Sequence, residues 1–140
     1  MKIKDPEIVV IDGQGGRLGA LLIEGLKKEA FDAQIYAIGT NGIATAAMLK
    51  AGAHFGATGE NPVRRACRDA DYILGPIGII AADAMLGEIT PVMAAAVGSS
   101  SAVKLLLPVE HCDILVAGVR KMSMGDLVRE ALESLKKQLE

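Results

Sequence analysis

A chain of 140 residues suits one domain, 1–140, with a core of its own. Fifteen lysines and arginines against seventeen acids leave a net charge of −2, so no basic field draws it to nucleic acid or to an anionic membrane. Two tyrosines, two phenylalanines and no tryptophan offer little on which to stack bases. Cys67 and Cys112 read as buried free thiols of a cytoplasmic protein. With His54 and His111 they show no ligand-pair spacing, so no metal is expected. Nor do the first residues read as a secretory leader, because the lysines run straight into Asp5-Pro6 and a strand.

The first strand, Glu7–Asp12, is a β-branched apolar run that stops at Gly13-Gln14-Gly15-Gly16. An apolar-periodic helix, Gly16–Ala30, follows. This is the strand–turn–helix shape of a phosphate-binding βα unit, in which glycines let the backbone approach a ligand and the first-turn N–H groups face an anion. Gly13, Gly15 and Gly19 read G-x-G-x-x-x-G, one residue longer than the dinucleotide fingerprint, with Leu18 where its third glycine would stand. The second strand, Gln34–Ile38, ends in Gly39-Thr40-Asn41-Gly42, with no acid for a ribose hydroxyl and no arginine for a 2′-phosphate. A nucleotide or phosphate-bearing ligand is expected; NAD(P) is not favoured.

Helix Gly42–Ala51 has Asn41 as its N-cap and Gly52 past its end. Residues 52–59 read as a glycine-rich loop carrying His54. Asn61-Pro62 opens a third helix that runs to about Asp69. The third strand is Asp71–Leu74, and Gly75-Pro76-Ile77-Gly78 ends it. The apolar span Ile79–Val97 reads as two helices, broken at Gly87-Glu88-Ile89-Thr90-Pro91, with Thr90 capping the second. Its apolar pieces are too short to cross a membrane. Helices hydrophobic all round need cover, so a homo-oligomer is expected, a two-fold dimer first; the alternative is that they fill the core of a monomer.

Strands Val103–Leu107 and Asp113–Val119 are joined by five residues, too few for a parallel crossover, so they are expected to pair antiparallel at one edge. A last amphipathic helix starts at Ser123 and passes through Leu127, Ala131, Leu135 and Leu139. The predicted fold is α/β: a Rossmann-like three-layer sandwich whose five-stranded sheet is mostly parallel with an antiparallel edge strand. Its predicted order, numbering these strands along the chain, is 3-2-1-4-5.

Three glycine turns thus end the first three strands, and ligands of open α/β sheets bind at carboxyl ends. The ligand-binding candidates are Gly13, Gln14, Gly15, Gly16, Arg17, Gly39, Thr40, Asn41, Gly42, Gly75 and Gly78. Thr58 and Asn61 add polar groups nearby. Each has a plainer role to weigh: Asn41 as a cap, Asp12 as acceptor for its own turn, Arg17 as an exposed cation. His54, Asp12 and Glu60 are the proton-transfer candidates. Asp83 and Glu88 are further acids, and Asp83 inside an apolar helix needs a partner. No Ser/His/Asp, reactive-cysteine or metal set stands out. Three readings remain open: a binding protein for a nucleotide or phosphorylated metabolite, a lyase- or isomerase-like enzyme on a small phosphorylated or carbonyl substrate, and a structural oligomer.

The motifs Ile-Asp-Gly-Gln-Gly-Gly from Ile11, Gly-Thr-Asn-Gly-Ile-Ala-Thr from Gly39 and Gly-Pro-Ile-Gly-Ile-Ile from Gly75 carry a resemblance. With Ala-Thr-Gly-Glu-Asn and Met-Leu-Gly-Glu-Ile-Thr-Pro, they resemble a family of small bacterial proteins of this length grouped as a domain of unknown function. The resemblance spans nearly the whole chain and implies a compact bacterial cytoplasmic protein without an assigned reaction. Residues 37–42 are also similar to the strand-then-Gly-Thr-Thr-Gly phosphate loop of methylglyoxal synthase, whose catalytic aspartates have no counterpart motif here.

Overall fold

A computed structural model of the chain describes residues 5–29, 31–109 and 113–140. Its five strands are β1 (Glu7–Asp12), β2 (Gln34–Gly39), β3 (Phe55–Thr58), β4 (Tyr72–Pro76) and β5 (Val103–Leu107). Five α-helices accompany them: α1 (Arg17–Lys28), α2 (Gly42–Ala51), α3 (Glu60–Asp69), α4 (Pro91–Gly98) and α5 (Met124–Leu139). The sheet runs β3-β2-β1-β4-β5, and every pair is parallel.

Successive side chains of a strand point to opposite faces, and both faces here are covered. Ile8 and Val10 of β1 join Leu22, Ile23 and Leu26 of α1, Met48 of α2 and Leu132 and Leu135 of α5 in one core. Val9 and Ile11 join Val63 and Cys67 of α3 and Met93 and Val97 of α4 in the other. Buried on both faces, the inner strands read as continuous apolar runs rather than alternating ones. The α/β three-layer arrangement is therefore as the sequence predicts.

Six details differ from expectation. Residues 113–119 form no strand, and among the described residues the sheet has no antiparallel edge. Leu115 is 100% exposed and Val116 and Val119 also face solvent, so no described residue covers the faces of a strand there. The fifth strand is instead β3, inside the glycine-rich stretch read as a loop. Its Gly56 lies under α2, where an added Cβ would stand 2.7 Å from Leu49 Cγ, so small residues let the helix sit close. Asp71–Leu74, expected beyond β2, forms most of β4 on the opposite side of β1, with Val10 aligned to Leu74.

The first of the two apolar helices is also absent. A short 3-10 helix, Ile77–Ile80, leads into turns through residue 89, where Asp83, Met85, Leu86 and Gly87 have φ of 67°, 57°, 56° and 91°. Asp83 lies exposed in these turns rather than buried in a helix. Ile79, Met85 and Ile89 nevertheless reach the second core, so much of this apolar span is the monomer's own interior. Helix α3 begins at Glu60 with Gly59 as its cap residue, which leaves Asn61 within the first turn.

The other helix signals hold. Asn41 accepts from Ala44 N–H, Thr90 from Met93 N–H and Ser123 from Asp126 N–H, each capping the helix it precedes. Among the described residues no helix is long and apolar enough to cross a membrane. Cys67 is buried, and burial pushes its thiol up to about 11 against the pull of Lys104. His111 and Cys112 lie outside the described residues, and with them any test of a site they would share with Cys67 and His54.

Candidate functional site

Parallel register brings the glycine turns together. Asp12 at the end of β1 aligns with Gly39 of β2, which aligns with Thr58 of β3, and β4 reaches Pro76 on the other side. All three turns open at the carboxyl edge of the sheet, around β1. At Gly13 the first turn meets the second and the segment 81–89. A Cβ there would lie 2.6 Å from Thr40 Oγ1, 2.8 Å from Met85 Sδ and 2.9 Å from Glu88 Oε1.

A cavity of about 200 Å3 opens over the first turn. Its floor is Asp12 and residues 13–18, and Pro76, Met85, Val109 and Met124 wall it. An α-helix leaves its first N–H groups without intrahelical partners. Asp12 Oδ2 takes the one at Gly19 (2.7 Å), while Arg17 and Leu18, which carry the two before it, line the cavity. The positive end of the α1 dipole thus faces this space. The exposed Arg17 adds a full charge at its rim.

Asp12 itself is 5% exposed and fully engaged: its Oδ1 accepts from Gly13 N–H at 2.8 Å. Burial raises its pKa above the ordinary value. The Gly19 and Gly13 N–H bonds oppose that rise, and the nearby Glu88 charge adds to it.

The residue that sequence reasoning underrated is Glu88. Its Oε1 accepts from Gln14 N–H (2.8 Å), Thr40 Oγ1 (2.6 Å) and Asn41 Nδ2 (2.8 Å). Burial disfavours its charge, but these hydrogen bonds outweigh burial and hold its pKa below the ordinary glutamate value. The predicted anion-binding groups Gln14, Thr40 and Asn41 therefore converge, and the carboxylate they converge on is internal. Asn41 serves two ends, since it caps α2 through Oδ1 and donates through Nδ2 to Gln14 O and Glu88. The available signal was a single acid in Leu86-Gly87-Glu88-Ile89, set between apolar neighbours just before a helix start.

Other candidates have structural employment. Gly16 has φ 73°, and its Cβ would meet Ala44 Cα of α2 at 2.7 Å. A Cβ on Gly39 would collide with Thr45 Oγ1, and one on Gly75 with Ile11 O. Gly15 and Gly42, in contrast, have open space where a Cβ would stand. Gly78 is buried in the 3-10 helix and does not line the cavity. Thr58 shares a 2.7 Å hydrogen bond with Thr45.

Of the proton-transfer candidates, only Asp12 borders the cavity. Glu60 accepts from Thr90 Oγ1 at 2.7 Å, tying α3 to the start of α4. His54 precedes β3 and accepts from Ile35 N–H through Nδ1 at 3.0 Å, at the amino end of the sheet and away from the glycine turns.

No curated protein matches the chain. Among solved structures, it is similar to one from Escherichia coli O157:H7 described as a dodecameric FMN-dependent Ubix-like decarboxylase. The identity is 18%, over 94% of this chain and 75% of that chain, with a TM-score of 0.43. The model of one protein family matches residues 7–140, from the first strand to the last helix. By that match the chain belongs to the family described as Domain of unknown function (DUF3842).

Proposed function

We propose that this protein binds a small phosphate-bearing metabolite at the first glycine turn and acts as a binding or sensor subunit. The observation that carries this reading is the cavity of about 200 Å3 floored by residues 13–18 and the start of α1. Helix N-termini with glycine-rich approaches suit anions, and Arg17 adds charge. The space lies below the roughly 300–1,000 Å3 of drug-sized ligand pockets, which favours a compact phosphate ester over a dinucleotide. The enzyme reading has Asp12 alone of its three candidates at the cavity, with both oxygens already accepting backbone N–H bonds.

The test is a thermal-shift panel of inorganic phosphate, sugar phosphates, ATP, GTP, NAD, NADP and S-adenosylmethionine, with Gly15→Val alongside. Gly15 is exposed and its Cβ would meet nothing within 4 Å, so valine keeps the fold and adds bulk to the cavity floor. A ligand at 100 times its Kd stabilises by about 2.7 kcal/mol, a rise of several degrees in Tm. The expected result is such a rise with a sugar phosphate or phosphate, lost in Gly15→Val. No rise with any compound, or an equal rise in the variant, removes the ligand from this turn.

The same proposal includes a two-fold dimer. Its support is the exposed apolar side chains from the end of β4 to the first turn of α4: Ile80, Leu86 and Val92, with Leu86 99% exposed. Light scattering is expected to give twice the chain mass for the wild type and the single mass for Leu86→Lys. A wild-type monomer overturns it.

A further inference from the structure

Three hydrogen-bond donors from two different glycine turns meet at one point: Gln14 N–H, Thr40 Oγ1 and Asn41 Nδ2. Donors arranged in this way fit an oxyanion, and Glu88 Oε1 fills the position. The segment that delivers Glu88 is under backbone strain. Asp83, Met85 and Leu86 are non-glycine residues with φ between 56° and 67°, a region that L side chains rarely adopt. Such conformations persist only where surrounding contacts impose them, and they cluster at clamps and switches.

Contacts of that kind are present. Ile89 is buried, Asp83 N–H donates to Ile89 O at 2.7 Å, and Glu88 makes its three bonds. At the tip, Leu86 is exposed. Met85 from the same turn walls the cavity proposed above for the ligand. Gln14 belongs to both places, since it lines the cavity and donates its N–H to Glu88.

We propose that Gln14 N–H, Thr40 and Asn41 form an oxyanion subsite that Glu88 occupies in the resting protein, and that an oxygen of an incoming carboxylate or phosphate displaces it and releases the turn at residues 81–89. This deepens the proposed function and rests on it: the ligand of the first glycine turn carries an anionic group that reaches these donors. Displacement exchanges the three hydrogen bonds at Glu88 for bonds from the same donors to the ligand, so the strained turn loses one of the contacts that impose it. A population held closed by Glu88 binds external anions more weakly than its open form does, by the fraction that is open.

Isothermal titration of the full chain with inorganic phosphate and with phosphoglycolate tests this on wild type, Glu88→Gln and Glu88→Asp. Glu88→Gln removes the charge and leaves only a neutral amide oxygen to accept from the three donors. Glu88→Asp keeps the charge but shortens its reach, and carries the test if the glutamine variant fails a thermal melt. Wild type is expected to bind, and the variants to bind about fivefold more tightly or better, the range of ordinary coupling between sites. A larger gain for phosphoglycolate assigns the donors to a carboxylate; an equal gain with phosphate assigns them to a phosphate oxygen. Ligand is also expected to speed hydrogen exchange at residues 81–87 of the wild type. Binding by the variants equal to or weaker than wild type overturns displacement by Glu88 and leaves the proposed function standing. No binding by any of the three proteins overturns the proposed function, and this inference with it.

Discussion

Gly16→Ala is expected to lower stability by about 2–4 kcal/mol, a fall in Tm on the order of 10 °C. Two effects act together. Gly16 has φ 73°, a left-handed conformation that an alanine holds only under strain. Its added Cβ would also lie 2.7 Å from Ala44 Cα and 2.8 Å from Ala44 O, both backbone atoms of α2. A flexible side chain could swing aside; a helix backbone has to move as a unit. Denaturant unfolding followed by circular dichroism measures the loss. Gly15→Ala, one residue earlier with open space at its Cβ, is the control and is expected to stay within about 1 kcal/mol of wild type. Equal stability of the two variants would mean that α1 and α2 do not approach each other at Gly16. The pair separates two jobs that look identical as letters: Gly16 admits a neighbouring helix, while Gly15 leaves room on the cavity floor.

The second large effect is expected at Asp12. Asp12→Ala leaves the Gly13 and Gly19 N–H groups, both beside a buried side chain, without their acceptor. Each orphaned buried donor costs about 1–3 kcal/mol, so a loss of about 3 kcal/mol is expected in the same unfolding experiment. Asp12→Asn keeps one acceptor oxygen but turns its NH2 toward the other N–H, and is expected to lose about half as much as alanine. The ranking matters more than either value: equal losses for alanine and asparagine would show that the single remaining acceptor oxygen does not sustain the turn.

The direction of its pKa shift adds a pH signature. Burial raises the folded-state pKa of Asp12 above 3.8. The stability linked to this group is therefore fully present below 3.8 and is lost as pH rises through the folded value. Glu88 runs the other way, because its folded pKa is lowered from 4.5. Its contribution is present above 4.5 and is lost as pH falls through the lowered value. Melting curves from pH 7 downward on wild type, Asp12→Asn and Glu88→Gln separate the two, since each variant lacks one of the opposing contributions.

Local signals in the chain determined most of the elements. Apolar runs closed by glycine marked β1, β2 and most of β4, and one closed by Pro108 marked β5. Side-chain caps at Asn41, Thr90 and Ser123 marked three helix starts, because each cap bonds an N–H only two or three residues on. The first glycine turn was legible as a strand-to-helix junction, because strand, turn and helix follow one another without a break. The apolar runs themselves, lacking alternation, announced a sheet covered on both faces.

What the tertiary structure decided is which runs pair and which polar groups meet. β3 carries Gly56 and exposed Phe55, too little apolar patterning to announce a strand; it forms because β2 offers an edge and α2 lies close above a glycine. Residues 113–119 have the composition of a strand and remain outside the sheet, because composition does not supply covered faces. Residues 81–89 look helical by hydropathy, yet Met85 and Ile89 meet the second core from turns in which Asp83, Met85, Leu86 and Gly87 are left-handed. That placement carries Glu88 across 74 positions to Gln14 and 48 to Thr40. Hydropathy reports which side chains avoid water. Where two distant loops converge depends on the sheet order and crossovers that bring their strands to the same edge, and no local pattern encodes that order.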